Sequence, residues 1–202
     1  MLRLYAMPGS GNSYKIQLLA ALLEIEMEQI KMSALDGSTR SGTYLKKNPI
    51  GKLPLLELAD GRFLPESGAI LVYLADGSDF LPDDRFTRAQ TLSWMFFEQY
   101  SHEPSLAARR SMAVYPERAN GVTQATKQAL LEKGYAALDV MEAQLQKTAF
   151  LAGNSPTIAD IALYAYTHDC DKGGFSLENH PQIAVWLTRI EALPNFINMP
   201  LQ

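Results

Sequence analysis

A single cysteine, Cys170, is the only thiol in the 202 residues. That excludes an intramolecular disulfide and any paired-cysteine redox motif, and makes the cytoplasm the default compartment. No apolar run is long enough to span a bilayer. The first residues, Leu2-Arg3-Leu4-Tyr5, read as a strand rather than as a basic segment followed by an apolar one, so no secretory signal is expected. Positive charge is not in excess: 18 Lys and Arg stand against 22 Asp and Glu, a formal net charge of -4. A basic footprint is therefore missing, and neither nucleic acid nor membrane is expected as a partner. Internal repeats and low-complexity tracts are absent as well. What remains, 47% hydrophobic and 20% charged, is an ordinary globular composition. The length allows one large domain or two small ones, each with its own core.

Taken in order, the chain changes character once. After the first strand comes Met7-Pro8-Gly9-Ser10-Gly11-Asn12-Ser13, then a helix with Ile16, Leu19, Ala20 and Leu23 at helical spacing. Met27 to Met32 alternates as a strand, Asp36 to Ser41 is polar loop, and Thr43 to Lys47 is a short helix ending before Asn48-Pro49. Leu55 to Leu58 and Arg62 to Leu64 flank Asp60-Gly61, a hairpin signal. A further helix starts at Pro65-Glu66-Ser67-Gly68, with Ser67 as N-cap and Ile70, Tyr73 and Leu74 on its apolar face. A βαβ unit followed by ββα implies one mixed sheet covered by helices.

Residues 76–86 are a turn-rich linker. Beyond it only helices are indicated. Thr87 to Glu103 carries Ala89, Leu92, Met95 and Phe96 on one face, and Pro104 should kink or end it. Thr123 to Leu145 is a long helix. Thr157-Ile158-Ala159-Asp160 has the form of a capping box with Asp in the place of Glu or Gln. A last helix begins near Pro181 and stops at Pro194.

A strand, a Gly- and Ser-rich turn and a helix start together aim backbone N–H groups and small hydroxyls at one point, which suits an anion. On the loop alone, a tight turn followed by a helix cap accounts for the same residues.

Pro8 to Lys15 after the first strand, Asn48 to Pro54 before the hairpin, Glu66 to Ile70 after it, and Thr157 to Asp160 in the helical half occur in one order. Together they resemble the cytosolic glutathione transferase family over essentially the whole chain. The stretch Trp94 to Pro104 is similar to a bacterial branch of it. The resemblance implies an α/β plus all-α protein: a thioredoxin-like βαβαββα domain over 1–75 that binds glutathione, and an all-helical domain over 87–202 with the electrophile pocket. It also implies a homodimer, and glutathione as a co-substrate with no tightly bound cofactor.

The tripeptide needs an acidic residue for its γ-glutamyl amine, donors for its α-carboxylate, backbone groups for its cysteinyl amide and a cation for its glycyl carboxylate. By resemblance Glu66 and Ser67 take the first two roles, with Ser67 at a helix N-terminus where charge-assisted bonds are favoured. Leu53 would offer its backbone to the cysteinyl part, as an added strand does, next to a cis bond before Pro54. Lys52 is matched to the glycyl carboxylate, with a solvated surface lysine as its alternative reading and Arg40 as a weaker rival.

An unperturbed thiol has a pKa of about 8.5, and lowering it by about two units requires about 2.7 kcal/mol of preferential thiolate stabilisation. One or two hydrogen bonds to the sulfur plus a helix dipole are of that size. Ser10 aligns with the donor of serine-type members. Asn12 stands where those members commonly carry Pro, and some bacterial and fungal relatives use an Asn near there instead. Ser13 is a third donor and a helix cap, and Tyr5 is the alternative of a tyrosine-type enzyme. Met7, Phe97, Tyr100, Tyr115 and Phe175 are the expected pocket lining. His102 and Glu103 read as a helix end near Pro104. His168, Asp169, Cys170 and Asp171 read as a helix C-terminus rather than metal ligands.

The expected activity is attack of the glutathione thiolate on a small hydrophobic electrophile. Glutathione-dependent reduction of a disulfide or peroxide is the alternative within enzymes. A non-catalytic interaction module of the same fold is the alternative outside them.

Overall fold

A computed structural model describes residues 1–200; the last two positions of the span 87–202 lie outside the described residues. The chain forms two compact units, one of Met1–Asp76 joined by the tail from Leu193 onward, the other of Gly77–Ala192.

The first unit is βαβαββα: β1 (Leu2–Ala6), α1 (Gly11–Leu22), β2 (Met27–Lys31), α2 (Gly42–Lys47), β3 (Leu55–Glu57), β4 (Phe63–Pro65) and α3 (Ser67–Ala75). The sheet order is β2-β1-β3-β4. β1 pairs parallel with β2 and antiparallel with β3, which pairs antiparallel with β4. This is the mixed sheet of a thioredoxin-like domain. Period-two alternation assigns its faces. Tyr5, Ile30 and Leu55 share one register row and pack with Tyr44 of α2. Leu4 and Leu56, paired and fully buried, point the other way. That face is left to α1 and α3, which pack on each other.

The tail returns to this unit: Tyr14 Oη donates to the Ile197 carbonyl at 2.6 Å and Asn195 Nδ2 to Glu24 Oε1 at 2.8 Å.

The second unit contains α4 (Arg85–Phe97), α5 (Glu103–Val114), α6 (Gln124–Leu145), α7 (Ile158–Thr167) and α8 (Pro181–Glu191). Four features depart from the sequence reading. Pro104 does not break the rod. A π-helical turn, Glu98–His102, is closed by the Glu103 N–H on the Glu98 carbonyl. Pro104 therefore falls in the first turn of α5, where a missing N–H is tolerated. The buried stripe is also different: Thr91, Met95, Glu98 and His102 face inward, whereas Ala89 is exposed and Phe96 is 70% exposed. His102 is buried mid-rod, its Nε2 2.9 Å from Thr167 Oγ1 on α7, so it caps no helix end. Tyr73 on α3 likewise faces outward, and Leu71 takes its place in the core.

α7 is buried along its whole length. Its start forms the capping box, with the Asp160 carboxylate accepting from the Thr157 N–H at 2.8 Å. A second helix start is capped from a distance. Glu142 of α6 accepts the Gln182 and Ile183 N–H groups of α8 at 3.0 Å, which places a carboxylate at the positive end of that helix.

Candidate functional site

Ser10 is the N-cap of α1. Its extended backbone lets Oγ accept from Ser13 N–H, although the 3.5 Å separation is long. A cap hydroxyl so weakly held can turn toward another acceptor at little cost. Ser13 is thus not the cap. It lies inside the helix, fully buried, and its Oγ accepts from the Met7 N–H at 3.1 Å. With Ser10 N–H donating to the Met7 carbonyl at 3.1 Å, this clamps both ends of the loop. No acidic residue occupies the first turn of α1, so the positive end of the helix stands next to a turn of small polar groups.

Asn12 occupies the first turn. Its Oδ1 accepts from Lys15 Nζ at 2.7 Å and lies 3.5 Å from Ser67 Oγ. The starts of α1 and α3 are therefore joined through one amide oxygen. Lys15 is 1% exposed. A lysine buried so deeply was not singled out in the sequence. α1 is buried nearly all round, so no polar face marks the residue as unusual. The only signal is the Asn12/Lys15 spacing of three, which puts both on one helix face.

Glu66 precedes α3 with φ 70° and ψ 116°, and Ser67 is the buried first residue of that helix. A non-glycine residue at this φ is strained, and such residues cluster at ligand clamps. The Glu66 side chain is exposed.

The third segment is the loop before β3, where the Leu53–Pro54 peptide bond is cis. The Lys52 carbonyl is held by Tyr44 Oη at 2.7 Å and Asn48 Nδ2 at 2.9 Å. The Lys52 side chain is exposed. Arg40 is used by the same loop: its Nη1 donates to the Ile50 carbonyl at 3.2 Å. Gly51, at φ 66°, lets it in, since a Cβ there would stand 2.6 Å from Arg40 Nη1.

Tyr5 belongs elsewhere. Its hydroxyl donates to Glu57 Oε2 at 2.6 Å and accepts from Lys47 on the α2 side of the sheet. That donor holds the Glu57 carboxyl below the ordinary range, with Lys47 and Arg3 adding to it. Met7 is buried. In the helical unit Tyr115 is buried, Phe97 is half-buried with its ring edge-on to Trp94 at 5.1 Å, and Tyr100 is 89% exposed. Phe175 is core: buried, edge-on to Tyr135 at 5.3 Å and pressed against Gly134. No helix among the described residues is long and apolar enough to cross a membrane.

A thioredoxin-like sheet with its two helix starts and its cis-proline loop in one unit, followed by a separate helical unit, defines a class that comparison with known proteins identifies. The sequence model of the glutathione S-transferase N-terminal domain matches residues 1–76, and that of the C-terminal domain matches residues 94–194. The chain belongs to the glutathione S-transferase family. It is 46% identical to a glutathione S-transferase from Pseudomonas fluorescens of known crystal structure, with a TM-score of 0.94 and 98% of each chain covered. It is 32% identical to the glutathione S-transferase-like protein LUC7 of a Fusarium species, covering 93% of this chain and 87% of that one. It is 29% identical to the disulfide-bond oxidoreductase YfcG of Escherichia coli, covering 96% and 92%.

Proposed function

We propose that the protein is a glutathione transferase that binds glutathione in its first unit, stabilises the thiolate at the start of α1 and directs it at a hydrophobic electrophile. The observation that carries this reading is the junction of the two helix starts, Asn12 Oδ1 lying 3.5 Å from Ser67 Oγ. One helix start suits a thiolate and the other a carboxylate, and glutathione carries both. Glu66 pairs with the γ-glutamyl amine, Ser67 with the α-carboxylate, Leu53 with the cysteinyl amide, and Lys52 with the glycyl carboxylate. Ser10 and Asn12 donate to the sulfur, with Ser13 holding the loop that presents them. Attack forms a carbon–sulfur bond, the leaving group departs with the broken bond's electrons, and the thiol proton passes to solvent. Phe97, Tyr100 and Tyr115 are the proposed contacts of the electrophile within the helical unit, and Met7 is the proposed contact within the first. The protein works as a cytoplasmic homodimer in detoxification.

A second reading has its own support. Asn12 occupies the loop position next to the serine-type donor, and YfcG, a relative across nearly the whole chain, is named for disulfide chemistry. In that reading the glutathione thiolate attacks a disulfide sulfur, expels the other sulfur as thiolate, and a second glutathione resolves the mixed disulfide.

Calorimetric titration with glutathione tests the binding step: no heat, no thermal shift and no retention on glutathione-agarose would remove the basis of both readings. Rates with an aryl halide, a peroxide and a mixed disulfide then separate them. Ser10→Ala and Asn12→Ala should each raise the pKa of the bound thiol. Identical thiolate titrations in wild type and both variants would deny either residue that role.

A further inference from the structure

The loop before β3 holds one backbone acceptor inward and leaves one backbone donor open, and both belong to the same peptide unit. The Lys52 carbonyl accepts from Tyr44 Oη at 2.7 Å and from Asn48 Nδ2 at 2.9 Å. Both lone pairs of that oxygen are thereby used. The Leu53 N–H, at the other end of the unit, donates to no group among the described residues. A main-chain N–H without a partner in the protein must bond to water or to a ligand.

The two donors that hold the carbonyl are themselves fixed. Tyr44 is buried in α2, its ring edge-on to Tyr5 at 6.3 Å. Burial pushes its phenol pKa up, so it keeps the proton it donates. Asn48, 1% exposed, ends α2. Its Oδ1 accepts from the Ile50 N–H at 3.0 Å, which leaves Nδ2 for the Lys52 carbonyl. The Lys52–Leu53 bond is trans, and in a planar trans peptide the C=O and the following N–H point in opposite directions. With the carbonyl drawn toward α2, the Leu53 N–H is turned to the side of the loop away from α2. The Leu53 side chain packs against Tyr5, Tyr44 and Leu55, a second hold on the same unit.

We infer that Tyr44 and Asn48 are positioning residues: they fix the plane of the Lys52–Leu53 peptide so that the Leu53 N–H is presented to the cysteinyl carbonyl of glutathione. This rests on the proposed binding of glutathione in the first unit. Both side chains act through one carbonyl oxygen. An untied peptide unit turns about its flanking ψ and φ. This one cannot turn without breaking two hydrogen bonds, so the donor is set before the ligand arrives. The consequence is selective, because only a ligand with an acceptor at the cysteinyl carbon gains from it.

The experiment compares three ligands on the intact protein by competition calorimetry. Glutathione carries both the cysteinyl carbonyl and the glycine. γ-Glutamylcysteine keeps acceptor oxygens at that carbon, as a carboxylate, and lacks the glycine. γ-Glutamylcysteamine lacks both. Tyr44→Phe removes one donor and keeps the ring, and Asn48→Asp sets an acceptor against the Lys52 carbonyl. Tyr44→Phe should weaken glutathione and γ-glutamylcysteine alike, by roughly five- to tenfold, and leave γ-glutamylcysteamine within about twofold of wild type. Asn48→Asp should weaken the same two ligands at least as much. Should Asn48→Asp fail to fold, Tyr44→Phe, which differs from wild type by one oxygen, decides alone. Three outcomes overturn the inference by itself: a folded Tyr44→Phe protein that binds glutathione as wild type does, an equal loss for all three ligands, as a merely loosened loop would give, or a loss for glutathione that γ-glutamylcysteine does not share, which would place the effect at the glycyl end. Failure of wild type to bind glutathione is a separate outcome, which removes the functional reading and this assignment together.

Discussion

Asp160 and Trp186 meet in the core of the helical unit, the indole N–H donating to Oδ1 at 2.9 Å. The same oxygen accepts from the Leu151 N–H at 2.9 Å, and Oδ2 takes the Thr157 N–H at 2.8 Å and the Thr157 hydroxyl at 3.1 Å. One carboxylate thus joins the start of α7, the turn before it and α8. Burial pushes its pKa up, and the four donors pull against that. Asp160→Ala strands several buried donors at once and should destabilise the protein by at least about 3 kcal/mol. Asp160→Asn keeps the shape but turns an NH2 toward N–H groups, and should lie between wild type and Asp160→Ala. Denaturant midpoints followed by tryptophan fluorescence give both values, and equal midpoints for wild type and Asp160→Asn would show that the charge is not needed.

The histidine at the far end of α7 makes stability depend on pH. His168 stacks on Tyr164 at 5.0 Å and bonds the Tyr164 carbonyl through Nδ1 at 3.0 Å. Burial holds its pKa below the ordinary value, opposed by the nearby Asp169. The folded state therefore prefers the neutral ring. Its contribution is complete above the unfolded pKa of about 6.5 and is lost as pH falls from there toward the folded value. The slope from this residue is at most about 1.4 kcal/mol per pH unit. His168→Gln should flatten the decline in denaturation midpoint between about pH 7.5 and pH 5.5. An unchanged slope in the variant would place the dependence on other groups.

How much of this was legible in the sequence differs from residue to residue. The order βαβαββα was readable because each element has a local signature: alternation in β1 and β2, Asp60-Gly61 in the hairpin, Thr157 and Asp160 at the start of α7. The segments around Ser10, Leu53 and Ser67 were readable as motifs for the same reason. What was hidden depends on partners distant in sequence. Glu142 caps α8 from 40 positions away, and Trp186 completes the Asp160 cluster from 26 away. Neither leaves a trace in local periodicity. The inward stripe of this rod runs through the polar Thr91 and Glu98 as well as Met95, so a stripe chosen for its apolar residues puts the Phe96 ring on the wrong side. Ser13 looked like a cap because it precedes an apolar run, but the helix starts two residues earlier.

Cys170 offers a test of the helical unit that does not depend on catalysis. It is buried, and burial, with Asp171 and Asp169 nearby, pushes its thiol up to about 12. At pH 8 that leaves roughly one thiolate in ten thousand, in a site that reagents cannot reach. Native protein should react with an aromatic disulfide reagent orders of magnitude more slowly than denatured protein, which has one thiol to titrate. Oxidised glutathione, which would exchange onto an accessible thiolate and release one reduced glutathione, should not produce a mixed disulfide at this position, as mass spectrometry of the intact chain would reveal. Rapid stoichiometric labelling of the native protein would contradict the burial of Cys170.

Glu66 places stability and function in opposition. Its φ of 70° is a conformation that a Cβ penalises and glycine does not. Relief of about 1–3 kcal/mol of strain is partly offset by glycine's larger loss of chain entropy on folding. Glu66→Gly should therefore raise stability by about 0.5–1 kcal/mol. The same change removes the carboxylate proposed to hold the γ-glutamyl amine, a charge-assisted bond, and affinity for glutathione should fall at least about tenfold. Glu66→Gln separates the two effects, since it keeps the strained backbone and removes only the charge. It should match Glu66→Gly in lost affinity and wild type in stability. Thermal unfolding without glutathione, together with calorimetry in its presence, reads both quantities on the same three proteins. A Glu66→Gly protein that is less stable than wild type would show that the side chain supports the turn rather than straining it, and unaltered affinity in both variants would remove Glu66 from the binding site.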